Sequence, residues 1–240
     1  FGPIFRGVND TQELNGRIYI MSFRLGTYIA TQFKPIVAKT IYDMTDAKTV
    51  LDTSMGWGDR LTGFFASNAT HYIGCDPNPN TFKRYKDMIE FWNSLTGNKK
   101  TTQIYNCGAE DLPWNEIDNV DCAFTSPPYF NVEKYTHEET QSFKKFRKLD
   151  DWLDKFLFKA LDNAWKSLKK GGHMIINISD VYSNHRVNQL CDPMCEYMES
   201  KSDAEFQGTM GLRMNKRPNS KAGKIEGVFA EPMFIWRKLY

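Results

Sequence analysis

Short apolar segments that alternate with amphipathic segments constrain the fold of this chain most. Two apolar runs in the first half of the sequence end in an acid, at Asp52 and at Asp76. A helical pattern follows each of them. Strands that alternate with helices form a mostly parallel sheet with helices on both faces, so the predicted fold class is α/β. The predicted strands of this part are Lys48–Asp52, His71–Asp76, Thr102–Cys107, Val120–Thr125 and His173–Ser179.

The remaining pattern predicts one long helix and a closing pair of strands. Asp150–Lys169 is the strongest helical segment, and Lys169-Lys170-Gly171-Gly172 predicts its C-terminal end. Val187–Ser200 is predicted to be a helix. Phe206–Met214 and Pro232–Leu239 are predicted to be the last two strands.

Length and composition indicate one soluble domain over residues 1–240. Residues 1–20 are expected to be an extension of this domain, and residues 181–230 are a small region that could recognise a substrate. The start at Phe1 predicts a piece of a longer chain with flanking domains, and a homodimer is a further expected assembly. No apolar run reaches the ~18 residues of a membrane span. Five scattered cysteines indicate reduced thiols and no metal site, hence an intracellular location in cytoplasm, nucleoid or nucleus.

A glycine turn follows the first predicted strand. Gly56 and Gly58 allow the backbone to bend tightly and to approach a ligand closely. A dinucleotide fold expects a third glycine where this chain has Leu61, and Asp59 would repel a pyrophosphate at the helix start. The turn therefore predicts a nucleoside-like ligand that carries no phosphates.

Acidic residues follow the neighbouring predicted strands. Asp76 comes 24 residues after Asp52, which is the usual distance for an acid that accepts hydrogen bonds from ribose hydroxyls. Glu110 and Asp111 follow the third strand, where an acid can accept from the amino group of an adenine.

The segment Ser126-Pro127-Pro128-Tyr129 follows the fourth strand directly. An exocyclic amino nitrogen of a base is a poor nucleophile, because its lone pair is delocalised into the ring. Ser126 Oγ and the Pro127 carbonyl could accept from both N–H groups and localise that lone pair. The two prolines fix the backbone and remove competing donors. An aromatic ring, from Tyr129 or Phe130, could stack on a base that has left its helix.

These motifs resemble the S-adenosylmethionine-dependent amino-methyltransferases of DNA over most of residues 20–240. Asp52–Gly58 resembles the first cofactor motif, Ser126–Tyr129 the catalytic motif, and Phe33–Lys39 the helix start that holds the methionine end of the cofactor. The resemblance implies a Rossmann-like methyltransferase fold, whose seven-stranded sheet has a reversed last strand. The cofactor-binding residues that follow are Lys34, Pro35, Asp52, Ser54, Gly56, Gly58, Asp76, Glu110, Asp111 and Thr125.

Two features depart from the family pattern. Trp57 and Asp59 stand in the glycine turn where small residues are usual, and only 60 residues follow Asp180, which leaves little room for a target-recognition domain. A serine before the two prolines is typical of cytosine N4 enzymes, whereas aspartate is typical of adenine N6 enzymes.

Basic residues late in the chain predict where nucleic acid binds. Arg213, Lys216, Arg217 and Lys221 lie between the last two predicted strands and could neutralise phosphates, although a solvated loop would have the same composition. A second basic group, Lys144–Lys148, follows the catalytic motif. The net charge of +2 is only mildly basic, so contacts should come from such local groups.

Three functions stay open at this stage. The first is amino-methylation of DNA bases, with cytosine N4 ahead of adenine N6. The second is N-methylation of RNA bases, since related motifs serve RNA enzymes. The third is a noncatalytic subunit that keeps the fold and binds nucleic acid, which the intact glycine turn and Ser126 disfavour.

Overall fold

The structure is a computed structural model that describes residue 16 and residues 32–97, 100–130, 140–183, 186–214 and 230–240. The chain divides into two compact units. One comprises residues 33–212 and 231–240, and the other comprises 1–32 and 213–230. In the latter unit, the described residues are 16, 32, 213, 214 and 230.

Nine strands are present in the described part, and seven of them form one sheet. They are β1 Thr49–Asp52, β2 His71–Cys75, β3 Thr101–Tyr105, β4 Val120–Thr125, β5 Leu168–Asn177, β6 Val181–Ser183, β7 Arg186–Asn188, β8 Ala204–Arg213 and β9 Ala230–Lys238. The order across the sheet is β3-β2-β1-β4-β5-β9-β8, while β6 and β7 pair separately as a two-stranded sheet.

The pairing confirms the predicted sheet. Strand β1 runs parallel to β2 and to β4, so that Leu51 lies opposite Ile73 on one side and Ala123 on the other. Strand β5 is parallel to β4, and β9 is the reversed strand, antiparallel to β5 with Ile175 opposite Ile235. The strand order changes direction between β1 and β4. Ligands of open α/β sheets bind at such a point, beyond the carboxyl ends of the strands.

Helices surround the sheet. They are α1 Pro35–Met44, α2 Asp59–Phe65, α3 Pro79–Thr96, α4 Ser142–Lys145, α5 Leu149–Trp152, the π-helical Leu153–Phe158, α6 Lys159–Ser167 and α7 Cys191–Glu199, with 3₁₀ turns at Ala109–Asp111 and Trp114–Glu116. Helix α3 begins where the Asn78 side chain accepts from the Asn80 N–H at 3.0 Å, and it ends at the left-handed Gly97. None of the helices in these described ranges is long and apolar enough to span a membrane.

The prediction that Lys169–Gly172 ends the long helix is wrong. Helix α6 ends at Ser167, and residues 169–172 belong to β5. The carbonyls of Trp165 and Leu168 accept from Lys238 Nζ at 3.0 and 2.9 Å. A lysine of β9 thus donates hydrogen bonds to carbonyls at the helix end. In a helix with a glycine cap, backbone N–H groups supply these bonds.

The predicted helix over Val187–Ser200 begins later than expected. Val187 lies in β7, and α7 starts at Cys191. Asp180 Oδ1 accepts from the N–H groups of Leu190 and Cys191 at 2.8 and 2.9 Å, which fixes the start of this helix. A side chain ten residues upstream supplies this contact, so local spacing does not reveal it.

The core lies on both faces of β1, β4 and β5. Leu51, Phe124 and Ile176 are fully buried in these strands, and Trp236 of β9 is fully buried beside them. Gly63 lets α1 and α2 pack closely, since a Cβ there would lie 2.5 Å from the Pro35 carbonyl oxygen. This packing places the start of α1 next to the glycine turn that precedes α2.

Candidate functional site

The glycine turn between β1 and α2 is held by its neighbours through the backbone of Gly56. The Gly56 N–H donates to Asp76 Oδ2 at 2.8 Å, and its carbonyl accepts from the Tyr85 hydroxyl at 2.6 Å. Gly56 and Gly58 both have positive φ, 57° and 83°, which explains why glycine is present at each. Tyr85 was missed by the sequence analysis, because its spacing in α3 only indicates a core position.

Asp52 lies beneath this turn and is fully buried. Its Oδ2 accepts from Arg60 Nε at 2.9 Å and from the Tyr72 hydroxyl at 2.7 Å, and its Oδ1 accepts from Arg60 Nη2 and the Ser54 N–H, both at 3.1 Å. Arg60 also donates to the Ser54 carbonyl. The structure thus gives Asp52, predicted as a cofactor contact, a full set of protein partners. Asp52 positions the turn.

Asp76 directly follows β2 and binds the turn through the Gly56 N–H. Burial raises its pKa to about 6, although N–H groups of Asn78 and Gly56 partly offset this effect. The Asn106 side chain donates to the Asp76 carbonyl at 2.9 Å, which ties the end of β3 to this position. The structure therefore brings the predicted ribose acid and the predicted adenine segment together.

Glu110 and Asp111 form the 3₁₀ turn of that adenine segment. Lys145 of α4 lies between them, with Nζ 2.7 Å from Glu110 Oε1 and 3.2 Å from Asp111 Oδ2. Glu110 Oε2 is buried and has no hydrogen-bond partner in the described part of the chain. A buried acceptor of this kind fits a ligand that brings an N–H donor.

The predicted catalytic segment, Ser126–Tyr129, is joined to the loop of the glycine turn by hydrogen bonds. Ser54 Oγ lies 2.7 Å from Thr125 Oγ1 and donates to the Ser126 carbonyl at 2.8 Å. The Thr53 hydroxyl donates to Thr125 Oγ1 at 2.9 Å. Thr125 is buried, so its hydroxyl connects two loops. Two sequence motifs more than 70 residues apart in the chain thus form one site.

The backbone of the Ser-Pro-Pro-Tyr segment has few acceptors to spare. The Ser126 carbonyl accepts from Ser54, and the Pro128 carbonyl accepts from the Phe130 N–H at 3.0 Å. The Pro127 carbonyl, which the sequence analysis named as an acceptor for the target amino group, takes part in neither bond. Ser126 itself is half-buried at the carboxyl end of β4.

Phe130 requires a correction. The prediction that this ring contacts nucleic acid conflicts with its burial, since only 3% of the residue is exposed. Its ring packs edge-on against Trp152, with centroids 5.9 Å apart. Phe130 has a positive φ of 44°, which is uncommon for a residue other than glycine. Tyr129 is the aromatic residue that stays half-buried at the site.

Tyr129 is held by the reversed strand. Its hydroxyl donates to Glu231 Oε1 at 2.6 Å and lies 3.4 Å from the Asn177 carbonyl oxygen. The Asn177 amide in turn donates to the Pro232 carbonyl at 3.0 Å. Glu231 and Asn177 were missed by the sequence analysis, since nothing in a sequence links positions 102 residues apart.

Lys34 and Pro35 begin α1, with Pro35 in the first turn. The preceding ring of Phe33 lies 5.6 Å from that of Phe124 and under the Arg60 guanidinium at 5.4 Å, measured to centroids. The start of α1 therefore rests on the same arginine that holds the glycine turn. The contact of Lys34 and Pro35 with the methionine end of the cofactor stays a prediction.

The basic loop is only partly described. Arg213 is exposed at the end of β8, while Lys216, Arg217 and Lys221 lie outside the described residues. Within the described ranges, no group of three or more His, Cys, Asp and Glu side chains could hold a metal ion.

The fold that these elements form is that of Rossmann-like S-adenosylmethionine-dependent methyltransferases. One similar structure is an O-methyltransferase from Thermotoga maritima, with 13% identity over 92% of this chain and 71% of that one, and a TM-score of 0.54. Another is an rRNA methylase from Streptococcus thermophilus, with 15% identity over 88% of this chain and 100% of that one, and a TM-score of 0.51.

A third similar structure is the [4+2]-cyclase SpnF, with 12% identity over 85% of this chain and 81% of that one, and a TM-score of 0.55. Identities this low establish the fold alone. Residues 120–238 match the family described as DNA methylase, the N6/N4 methyltransferases, which confirms the resemblance predicted from the sequence. A comparison with curated proteins finds no match.

The fold and the family imply S-adenosylmethionine as the cofactor. The residues present fit that molecule. Asp76 offers a buried carboxylate bonded to the glycine turn, and Glu110 offers the buried oxygen described above. The glycine turn offers a close backbone approach between them.

Proposed function

We propose that this protein methylates an exocyclic amino group of a base in DNA, with cytosine N4 as the first target and adenine N6 as the second. The observation that carries the proposal is the hydrogen bonding of Ser54 to Thr125 and to the Ser126 carbonyl. These bonds put the cofactor turn and the catalytic segment side by side, as transfer between two bound molecules requires.

Each end of the cofactor has residues to hold it. Asp76 accepts from the ribose hydroxyls, Glu110 accepts from the adenine amino group, and the start of α1 at Lys34 and Pro35 faces the methionine end. Asp52 and Arg60 act beneath them by fixing the turn. S-adenosylmethionine, when bound, supplies an electrophilic methyl carbon on a positively charged sulfur.

The catalytic segment prepares the nucleophile. Ser126 Oγ and the Pro127 carbonyl accept hydrogen bonds from the two N–H groups of the target, so the lone pair is localised on the nitrogen instead of being delocalised into the ring. The cofactor would supply the methyl group and would keep the electron pair of the broken carbon–sulfur bond on its sulfur. The proton that the methylated nitrogen loses would leave along the hydrogen bond to Ser126 Oγ and pass to water. Acceptors fixed in advance stabilise the positive charge that develops on the nitrogen.

The half-buried Tyr129 supports the target base. Its ring is fixed at the hydroxyl end by Glu231, so it offers a face at the carboxyl edge of β4. Stacking on such a ring holds a base that has left the duplex. Serine at the first position of the motif favours cytosine, by the family pattern described above.

Phosphate contacts are proposed for the basic residues late in the chain. Arg213 is exposed at the end of β8, and Lys216, Arg217 and Lys221 follow it in sequence. The hairpin of β6 and β7 starts four residues after β5 ends, so it lies near the same carboxyl edge. We assign the recognition of the target strand to this region, residues 181–230.

The experiment supplies labelled S-adenosylmethionine with DNA and RNA and identifies the methylated nucleosides by mass spectrometry. N4-methylcytosine from DNA is the expected product, and N6-methyladenine would change only the base. Ser126→Ala should abolish most of the label, whereas Ser200→Ala, on an exposed helix end, should not. Label in RNA alone, or equal label with both variants, would refute the proposal.

A further inference from the structure

Lys145 contacts the two acids of the predicted adenine segment, Glu110 and Asp111. It is the last residue of α4, which follows the catalytic motif in the chain. The sequence analysis grouped it with the basic residues near the substrate. In the structure, its ammonium instead bridges Glu110 and Asp111, and these acids raise the pKa of Lys145 despite partial burial.

Glu110 is held in one orientation by this contact. Only 7% of its side chain is exposed, and one carboxylate oxygen, Oε1, is bound to Lys145. The other, Oε2, is buried and has no partner in the described part of the chain. Gly108 makes room for it, since a Cβ at that position would collide with Glu110 Oε2. The carboxylate thus presents one fixed acceptor.

We propose that Lys145 is a positioning residue that makes the cofactor site select adenine over hypoxanthine. By holding Oε1, it keeps Oε2 aimed at the exocyclic amino group of the adenine. Hypoxanthine carries a carbonyl oxygen at that place, which would face the carboxylate oxygen with no proton between them. The inference rests on the role proposed for Glu110 and does not depend on which base is methylated.

The charge of Lys145 matters as much as its contact. A lysine ammonium can only donate hydrogen bonds. Glu110 Oε1 therefore serves as the acceptor in this contact. Without that ammonium, a carboxylate this buried would lose its counterion. It would then take up a proton or turn towards water, and either change removes the fixed acceptor.

The experiment measures binding of two product analogues by isothermal titration calorimetry, with no nucleic acid present. S-adenosylhomocysteine carries the amino group, and S-inosylhomocysteine carries the carbonyl. Lys145→Met should raise the Kd of the adenosyl compound about tenfold, as expected for a weakened charge-assisted hydrogen bond, and should narrow the preference between the two. Lys145→Arg should keep the preference. Lys86→Met, which removes an exposed partner of Glu90 on α3, is the matched control and should change neither Kd.

Two results would overturn the inference. An unchanged preference in Lys145→Met would show that Lys145 does not orient Glu110, and tighter adenosyl binding would show that Lys145 competes with the ligand. Thermal unfolding checks that the variant is folded. If Lys145→Met does not fold, Glu110→Gln provides the test. Its amide can present either oxygen or nitrogen, so the preference for the adenosyl compound should be lost. If Glu110→Gln retains that preference, the proposal is refuted. If the protein prefers the adenosyl compound as expected but methylates no nucleic acid, only the proposed function is refuted.

Discussion

The buried pair of Arg60 and Asp52 gives a large and measurable prediction. Arg60 is 5% exposed and Asp52 fully buried, and two hydrogen bonds of 2.9 and 3.1 Å join them. Replacing Arg60 by methionine keeps much of the volume but leaves a buried carboxylate with only Tyr72 and Ser54 as donors. Removing one partner of a buried pair costs about 3–5 kcal/mol.

In thermal terms the expected loss is easy to detect. For a chain of this length each 1 kcal/mol lowers Tm by about 2–4 °C, so Arg60→Met should lower it by about 6–20 °C. Differential scanning calorimetry measures this directly. Lys48→Met is the control, because its pair with Asp46 is exposed and should leave Tm unchanged.

A double variant tests the cause. If the loss comes from an unpaired buried charge, Asp52→Asn combined with Arg60→Met should lose less stability than the two single variants together. Additive losses, or a loss below about 1 kcal/mol for Arg60→Met, would refute the reasoning that this pair supports the glycine turn.

Three further outcomes follow from the site. Ser126→Ala should lower kcat about a hundredfold with little change in cofactor Kd, and an equal loss of both would remove Ser126 from the target side. Burial raises the pKa of Asp76 to about 6, and only its ionised form accepts from both ribose hydroxyls. The cofactor Kd should therefore rise as pH falls below about 6, and Asp76→Asn should bind weakly with a flat pH profile. If the cofactor Kd of Asp76→Asn still depends on pH, a group other than Asp76 causes the dependence. Tyr129→Phe should lower kcat about tenfold without changing cofactor Kd, and Glu231→Ala combined with it should add nothing, because both variants remove the same hydrogen bond. Additive losses would separate the two residues.

Much of the fold could be predicted because its signals are local. Strands β1, β2 and β4 are short segments rich in buried apolar residues, and the glycine turn and Ser126–Tyr129 come directly after two of them. Parallel strands place their carboxyl ends at one edge, so the meeting of these motifs follows from the order of elements. The reversed β9 followed from the family resemblance.

What the sequence could not predict are contacts between distant positions. Phe130 is next to the catalytic motif, and only the structure shows that its ring is buried in the core against Trp152. The sequence predicts a cofactor contact for Asp52, because strands often end in an acid in cofactor-binding folds. The pairing of Asp52 with Arg60, the second residue of α2, depends on side-chain directions that spacing does not fix.

The contact of Tyr129 with Glu231 also bears on the order in which the protein assembles. The strand that carries Glu231 inserts between β5 and β8, so it joins the sheet only after both neighbours have been synthesised. Pairings over such sequence distances form slowly, since the chain must close a long loop first. On a ribosome, Tyr129 is synthesised 102 residues before its hydrogen-bond partner Glu231. The sheet edge that carries Tyr129 therefore reaches its final contacts only after β9 has been made.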